Sequence, residues 1–141
     1  MFDPKNEIVQ LCAKGIELEA TNLSEAKKLY EQAWQLSETP IDKLTAAHYM
    51  ARIQPDVLHK LKWDKIALEQ ALLIDSAEVK GSLPSLYLNI GKCHEDMGQR
   101  KEALEHYVKA QEYVKYLNKD GYGTMINKGI AAGIERCGKA G

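Results

Sequence analysis

The groups that could do chemistry here are three cysteines, four histidines and scattered carboxylates. Cys12, Cys93 and Cys137 are an odd number at wide spacing with no CxxC pair, which reads as free, buried thiols in a reducing compartment. Each falls on an apolar helix stripe, where burial raises a thiol pKa and suppresses nucleophilicity. His94-Glu95-Asp96 puts an imidazole beside two carboxylates but lacks zinc-ligand spacing, and no two histidines stand at i and i+4. His48 and His59 flank the Gln54-Pro55 turn, and His106 lies on an outer helix face next to Tyr107. There is no GxGxxG, GxxxxGK[ST] or GxSxG segment, and neighbouring carboxylates read as solvated helix faces. No enzyme, cofactor or metal is expected.

The bulk numbers agree with a soluble protein. A chain of 141 residues reads as one domain with a real core, burying roughly two-thirds of its unfolded surface. The net charge of −1 argues against a nucleic-acid backbone as partner. No signal peptide is evident in MFDPKNE, and the longest clear apolar run, 71–74, is far too short to span a bilayer. A cytoplasmic location and no membrane partner are expected.

Helical periodicity and breakers set out the elements that would position these groups. A first helix over 4–20 takes Asp3 as cap and Pro4 in its first turn. Ser24 caps a second over 25–37, with Ala26, Leu29, Tyr30, Ala33, Trp34 and Leu36 inward. Thr39-Pro40 starts a third, which runs to about 53 and ends before Pro55. A fourth spans 56–74 with Leu58, Leu61, Ile66, Leu68, Ala71 and Leu72 inward. A linker over 76–83 leads to a fifth helix opened by Pro84 and closed by Gly98 as a left-handed cap. A sixth covers 100–117, a two-glycine turn 118–123, and a final helix 124–137 carries Ile126, Ile130 and Ile134. Gly129 and Gly133 beside that stripe would let its backbone approach a neighbour closely.

The segment YLNIGKCHEDMGQRKEALEHYVKA, residues 87–110, places Tyr87, Ile90, Gly91 and His94 on one helix. Ala103, Tyr107 and Ala110 follow on the next, with twelve residues from Gly91 to Ala103. This resembles a tetratricopeptide repeat, a helix–turn–helix unit that stacks into a solenoid. AKGIELEATNLSEAKKLYEQAW is similar, with eleven residues from Gly15 to Ala26. The middle unit is more degenerate, with Ala51 in the glycine's place. Ala33, Ala71 and Ala110 mark periods of 38 and 39, longer than the family's roughly 34. AAHYMARIQ and LKWDKIALEQA are also similar to segments of small stand-alone bacterial tetratricopeptide proteins.

The resemblance implies an all-α, right-handed superhelix of seven helices. Three pairs, about 4–38, 40–75 and 83–117, would be closed by a capping helix over 122–138 that covers the open end. It also implies a concave groove lined by the first helix of each pair. Cys12, Ile16 and Glu19 would face it from the first, Thr45, His48, Tyr49 and Arg52 from the third, and Ser85, Asn89, Lys92 and Asp96 from the fifth. Asn89, Lys92 and Arg52 resemble part of the carboxylate clamp with which some family members hold acidic chaperone tails. The implied function is a protein–protein interaction module that binds a peptide or protein segment.

Two alternatives come from other features. Trp63, beside Lys60, Lys62 and Lys65, reads either as an interface anchor that would pair two chains into a homodimer or as a space-filler in the middle pair. The same lysines would let an auxiliary domain of a separate enzyme touch RNA, against the net charge.

Overall fold

In a computed structural model, which describes residues 3–139, the chain is all-α. Its helices are α1 (Glu7–Leu18), α2 (Leu23–Leu36), α3 (Pro40–Arg52), α4 (Val57–Leu72), the single-turn α5 (Ala77–Lys80), α6 (Leu83–Asp96), α7 (Arg100–Glu112) and α8 (Gly121–Gly138). The chain divides into two compact units, residues 1–74 and 75–141. Among the described residues no helix is long and apolar enough to cross a membrane.

Side-chain caps set most helix starts, and they move several expected boundaries. α1 begins at Asn6 rather than at Asp3-Pro4. The Asn6 side chain accepts from the Val9 N–H at 3.1 Å, while Asp3 accepts from the Lys5 N–H at 2.9 Å in the turn before it. Asn22, not Ser24, caps α2 through the Glu25 N–H at 3.2 Å. Thr39 and Asp42 form a reciprocal capping box with Pro40 in the first turn of α3, as the Thr-Pro pair predicts. Asp120 accepts from the Gly123 N–H at 2.8 Å, so α8 starts at Gly121 and absorbs what reads as a turn. α7 stops at Glu112, short of the expected 117, and a 3-10 turn over Val114–Tyr116 follows. Tyr113, at that break, stacks on Tyr87 with ring centroids 5.8 Å apart and planes 5° apart, which fixes where the chain leaves the helix. Gly98 is the positive-φ residue (+76°) that ends α6, as expected.

In the first unit, α1 and α2 form a hairpin against which α3 packs. Ile8, Cys12, Tyr30, Ala33, Ala46, Met50 and Ile53 make its core cluster. Along α3, Ala46, Met50 and Ile53 face that cluster, while buried Leu44, Ala47 and Ala51 form a second stripe for α4. The register of α4 differs from the apolar reading. It buries Leu61, Asp64, Ala67 and Ala71, whereas Leu58 and Leu72 are 65% and 53% exposed. Hydrophobicity alone misplaces this face because two of its four buried residues are alanines, Ala67 and Ala71, and because Asp64 goes inside with Lys60 Nζ 2.7 Å from its Oδ2. Leu36, also read as core, is exposed, and so is Ile16, expected to face the groove.

In the second unit, α6 and α7 form the hairpin and α8 packs on both. The two hairpins share one arrangement. Buried Ala26, Tyr30 and Ala33 on α2 repeat as Ala103, Tyr107 and Ala110 on α7. Each tyrosine ring lies on a glycine of the preceding helix. A Cβ on Gly15 would collide with Cε1 of Tyr30, and one on Gly91 would come 2.6 Å from Cε1 of Tyr107. The Tyr107 ring is enclosed from its other edge by α8, where a Cβ on Gly133 would come 2.6 Å from Cε2. The close approach expected at Gly129 and Gly133 is therefore made, with Gly129 set against Leu88. The inward stripe of α8 is Ile126, Ile130, Gly133 and Cys137, with Ile134 only half-buried. Its Lys128, Ala131 and Glu135 are exposed.

Candidate functional site

The expected site residues fall into two sets, one on α3 in the first unit and one on α6 in the second. On α3, Thr45 is buried and its hydroxyl donates to the Ile41 carbonyl at 2.9 Å, so it is not a surface group. His48 is half-buried and meets the Tyr49 ring edge-on at 5.3 Å. Burial holds its pKa below the ordinary value, with Asp64 opposing and Arg52 and Lys60 adding to the depression. Tyr49 is tilted against Tyr30 with centroids 5.3 Å apart, and burial raises its hydroxyl pKa.

Arg52 is not the free cation that a clamp would use. Its Nε and Nη donate to the two oxygens of Glu19, the residue that caps the end of α1, at 3.0 and 2.8 Å. That fork lowers the Glu19 pKa and raises that of Arg52. Cys12, also expected in the groove, is 1% exposed, and burial pushes its thiol up to about 12. It points inward because it shares a helix face with Ile8 and Gly15.

Ser85, Asn89, Lys92 and Asp96 of α6 stand at i, i+4, i+7 and i+11, one stripe outside the buried Pro84, Leu88 and Gly91. Ser85 and Asn89 are half-buried, and Lys92 and Asp96 are exposed. The sequence reading missed what lies beside them. Tyr122 of α8 donates its hydroxyl to Ser85 Oγ at 3.1 Å, and Tyr122 and Met125 are 55% and 59% exposed. Asp120 three residues before Gly123 was the available signal, since an Asp cap there turns Tyr122 from a turn residue into a helical one.

Trp63 is half-buried and packs edge-on against Trp34, centroids 5.0 Å apart, beside the core cluster. This is the space-filling role rather than that of an exposed anchor. His94 is buried, with Nδ1 2.6 Å from Gln99 Oε1 and its ring stacked on His106 at 5.0 Å. Ring contacts continue from His106, tilted against Tyr87, through the Tyr87–Tyr113 stack to a tilted Tyr116, and Lys80 and Lys115 lie over the Tyr116 ring. Among the described residues, no three His, Cys, Asp or Glu side chains gather as a metal site needs.

A second constellation was missed altogether. In the second unit Arg136 of α8 bonds both oxygens of Glu95 on α6, at 2.8 and 3.0 Å, and Tyr107 of α7 donates to Glu95 at 2.6 Å. In the first unit Arg52, Glu19 and Tyr30 are the same three types on the corresponding helices. The signal lay in both hairpins, as a glycine with a glutamate four residues on and a tyrosine fifteen or sixteen on. No family model, curated protein or solved structure matches the chain.

Proposed function

We propose that this chain is a tetratricopeptide-like scaffold that binds a peptide or protein segment through the first helices of its hairpins, and is not an enzyme. The observation that carries this reading is the outer stripe of α6, Ser85, Asn89, Lys92 and Asp96, bordered by exposed Tyr122 and Met125. An amide next to an ammonium suits an extended ligand. Asn89 can pair with a backbone peptide group, and Lys92 can make a charge-assisted bond to a carboxylate. Tyr122 and Met125 offer an amphipathic ring and an adaptable thioether for an apolar side chain. All three cysteines are buried, which favours binding over thiol chemistry.

Capture of partners by the tagged full chain, with identification by cross-linking, tests this. Asn89→Ala with Lys92→Ala changes outward groups only, and circular dichroism should be unaltered. Capture should fall by about tenfold or more, the loss of one charge-assisted contact and one amide pair. Undiminished capture would reject the α6 surface.

A further inference from the structure

We propose that the outer face of α4 is a self-association surface, on which a second copy of the chain lays its own α4 antiparallel about a two-fold axis between Lys65 and Ile66. This face is apart from the α6 stripe and pairs whether or not that stripe binds a partner. At 3.6 residues per turn, Leu58, Lys62, Lys65, Glu69 and Leu72 fall on one stripe of α4, turned away from the buried Leu61, Asp64, Ala67 and Ala71. Leu58, Leu72 and the capping Leu73 are 65%, 53% and 69% exposed. Single exposed leucines are ordinary, but here three stand at the two ends of one helix face, about 21 Å apart at 1.5 Å per residue.

The charges between them point to a second copy as the occupant. In an antiparallel pair, positions equally far from the axis face each other, and each contact occurs twice. Lys62 and Glu69 are equally far from it, and so are Leu58 and Leu73. Each Lys62 therefore meets Glu69 of the second copy, and each Leu58 enters between Leu72 and Leu73 of the second copy. A parallel pairing would set lysine against lysine and glutamate against glutamate. Lys60 is committed to Asp64, whereas Lys62 and Glu69 have no ion-pair partner among the described residues. Lys65, beside the axis, carries its ammonium out to the rim on its long stem. The exposed charge pairs set orientation and the leucines supply affinity, since surface ion pairs contribute little. Trp63 is not the anchor, because its ring is used against Trp34. One helix face is a small interface, so the dimer should form at a concentration on the order of tens of micromolar.

Sedimentation of the full chain from about 1 to about 500 μM tests the surface, and the mass should rise from one copy to two. Lys62→Glu and Glu69→Lys should each weaken self-association by about tenfold, because each sets like charges face to face twice. An equimolar mixture of the two variants should restore it as a mixed dimer, in which both contacts are again opposite in charge. Leu58→Ser, at an exposed position, should leave the melting temperature unchanged and weaken association by about tenfold or more. A monomer over the whole range overturns the proposal. So does a mixture no tighter than either charge variant alone, or a Leu58→Ser chain that associates like the natural one. If Leu58→Ser fails to fold, the charge variants decide. A monomeric natural chain whose capture of another protein is lost on Leu58→Ser would give the face to a different partner and likewise overturn it.

Discussion

Arg136 lies across both oxygens of Glu95, with Nε 2.8 Å from one and Nη 3.0 Å from the other. The pair joins the last helix to the first helix of the α6–α7 hairpin, and the Tyr107 hydroxyl on the same carboxylate adds the second helix of that hairpin. Three helices thus meet at one side chain. The apolar packing of α8, through Ile126, Ile130 and Gly133, positions the helix; the fork sets its register along α6. The pair Glu19–Arg52 relates α1 and α3 in the same way.

The first consequence is acid sensitivity. The Arg136 guanidinium, assisted by Tyr107, lowers the Glu95 carboxyl to about 2 from an ordinary 4.5. The unfolded chain then binds more protons than the folded one between those values. The stabilisation is complete above about pH 4.5 and is lost as pH falls toward 2, and Glu19 shifts in the same direction. Because the Arg136 side chain is half-exposed, screening leaves about 1–2 kcal/mol at neutral pH. Urea unfolding of the natural chain and Glu95→Gln should differ by that amount at pH 7, and the difference should shrink as pH falls below about 4.5 and close only below about pH 2. A difference independent of pH would refute it.

The enclosure of Tyr107 between two glycines gives a second test. A Cβ at Gly133 would sit 2.6 Å from Cε2 of a ring that cannot retreat, since Gly91 closes the other edge. Gly133→Ala should cost about 1–3 kcal/mol by overpacking, despite the better helix propensity of alanine. Gly138→Ala, with nothing within 4 Å of the new Cβ, should change stability by less than about 0.5 kcal/mol. Thermal unfolding of the two variants side by side settles the contrast, and equal melting temperatures would show the ring is free to shift.

What the sequence made legible was the part governed by short-range rules. Glycine-to-tyrosine spacing, Thr39-Pro40 and Gly98 located hairpins and caps, because each is satisfied within a few residues. The register of α4 was not legible, since its inward side contains Asp64, and a charge goes inside only when a partner such as Lys60 accompanies it. The state of Arg52 was hidden for a related reason. It depends on Glu19, thirty-three positions earlier, and no local pattern says which surface carboxylate reaches a given arginine. Asn89 and Lys92 kept their expected places because a helix's solvent stripe follows directly once its buried stripe is known.

Asp64 gives a third prediction. It is 1% exposed, and Lys60 reaches it from one turn earlier at 2.7 Å. Removing one partner from a buried charge costs more than a surface position would suggest, although the 39% exposure of the Lys60 side chain moderates it. Lys60→Met should destabilise by about 2 kcal/mol. Lys62→Met, on the exposed side of the same helix, should stay within about 0.5 kcal/mol. Chemical denaturation of both variants decides, and equal small effects would mean that another group serves the carboxylate.

Trp63 separates packing from recognition. Its ring meets Trp34 edge-on at 5.0 Å beside a core cluster that includes Tyr30 and Met50. Both tryptophans of the chain belong to the first unit, so indole fluorescence reports that unit alone. If Trp63 fills space between α2 and α4, Trp63→Ala leaves a cavity and costs about 2–4 kcal/mol, while Trp63→Phe recovers much of it. The denaturation midpoint read from the remaining Trp34 should fall accordingly, and sedimentation should show the same mass for all three proteins. Were Trp63 instead an anchor between chains, the alanine variant would keep its midpoint at low protein concentration and change only its mass at high concentration. The edge-on contact with Trp34 argues for the first result, because an exposed anchor would leave that edge to the partner.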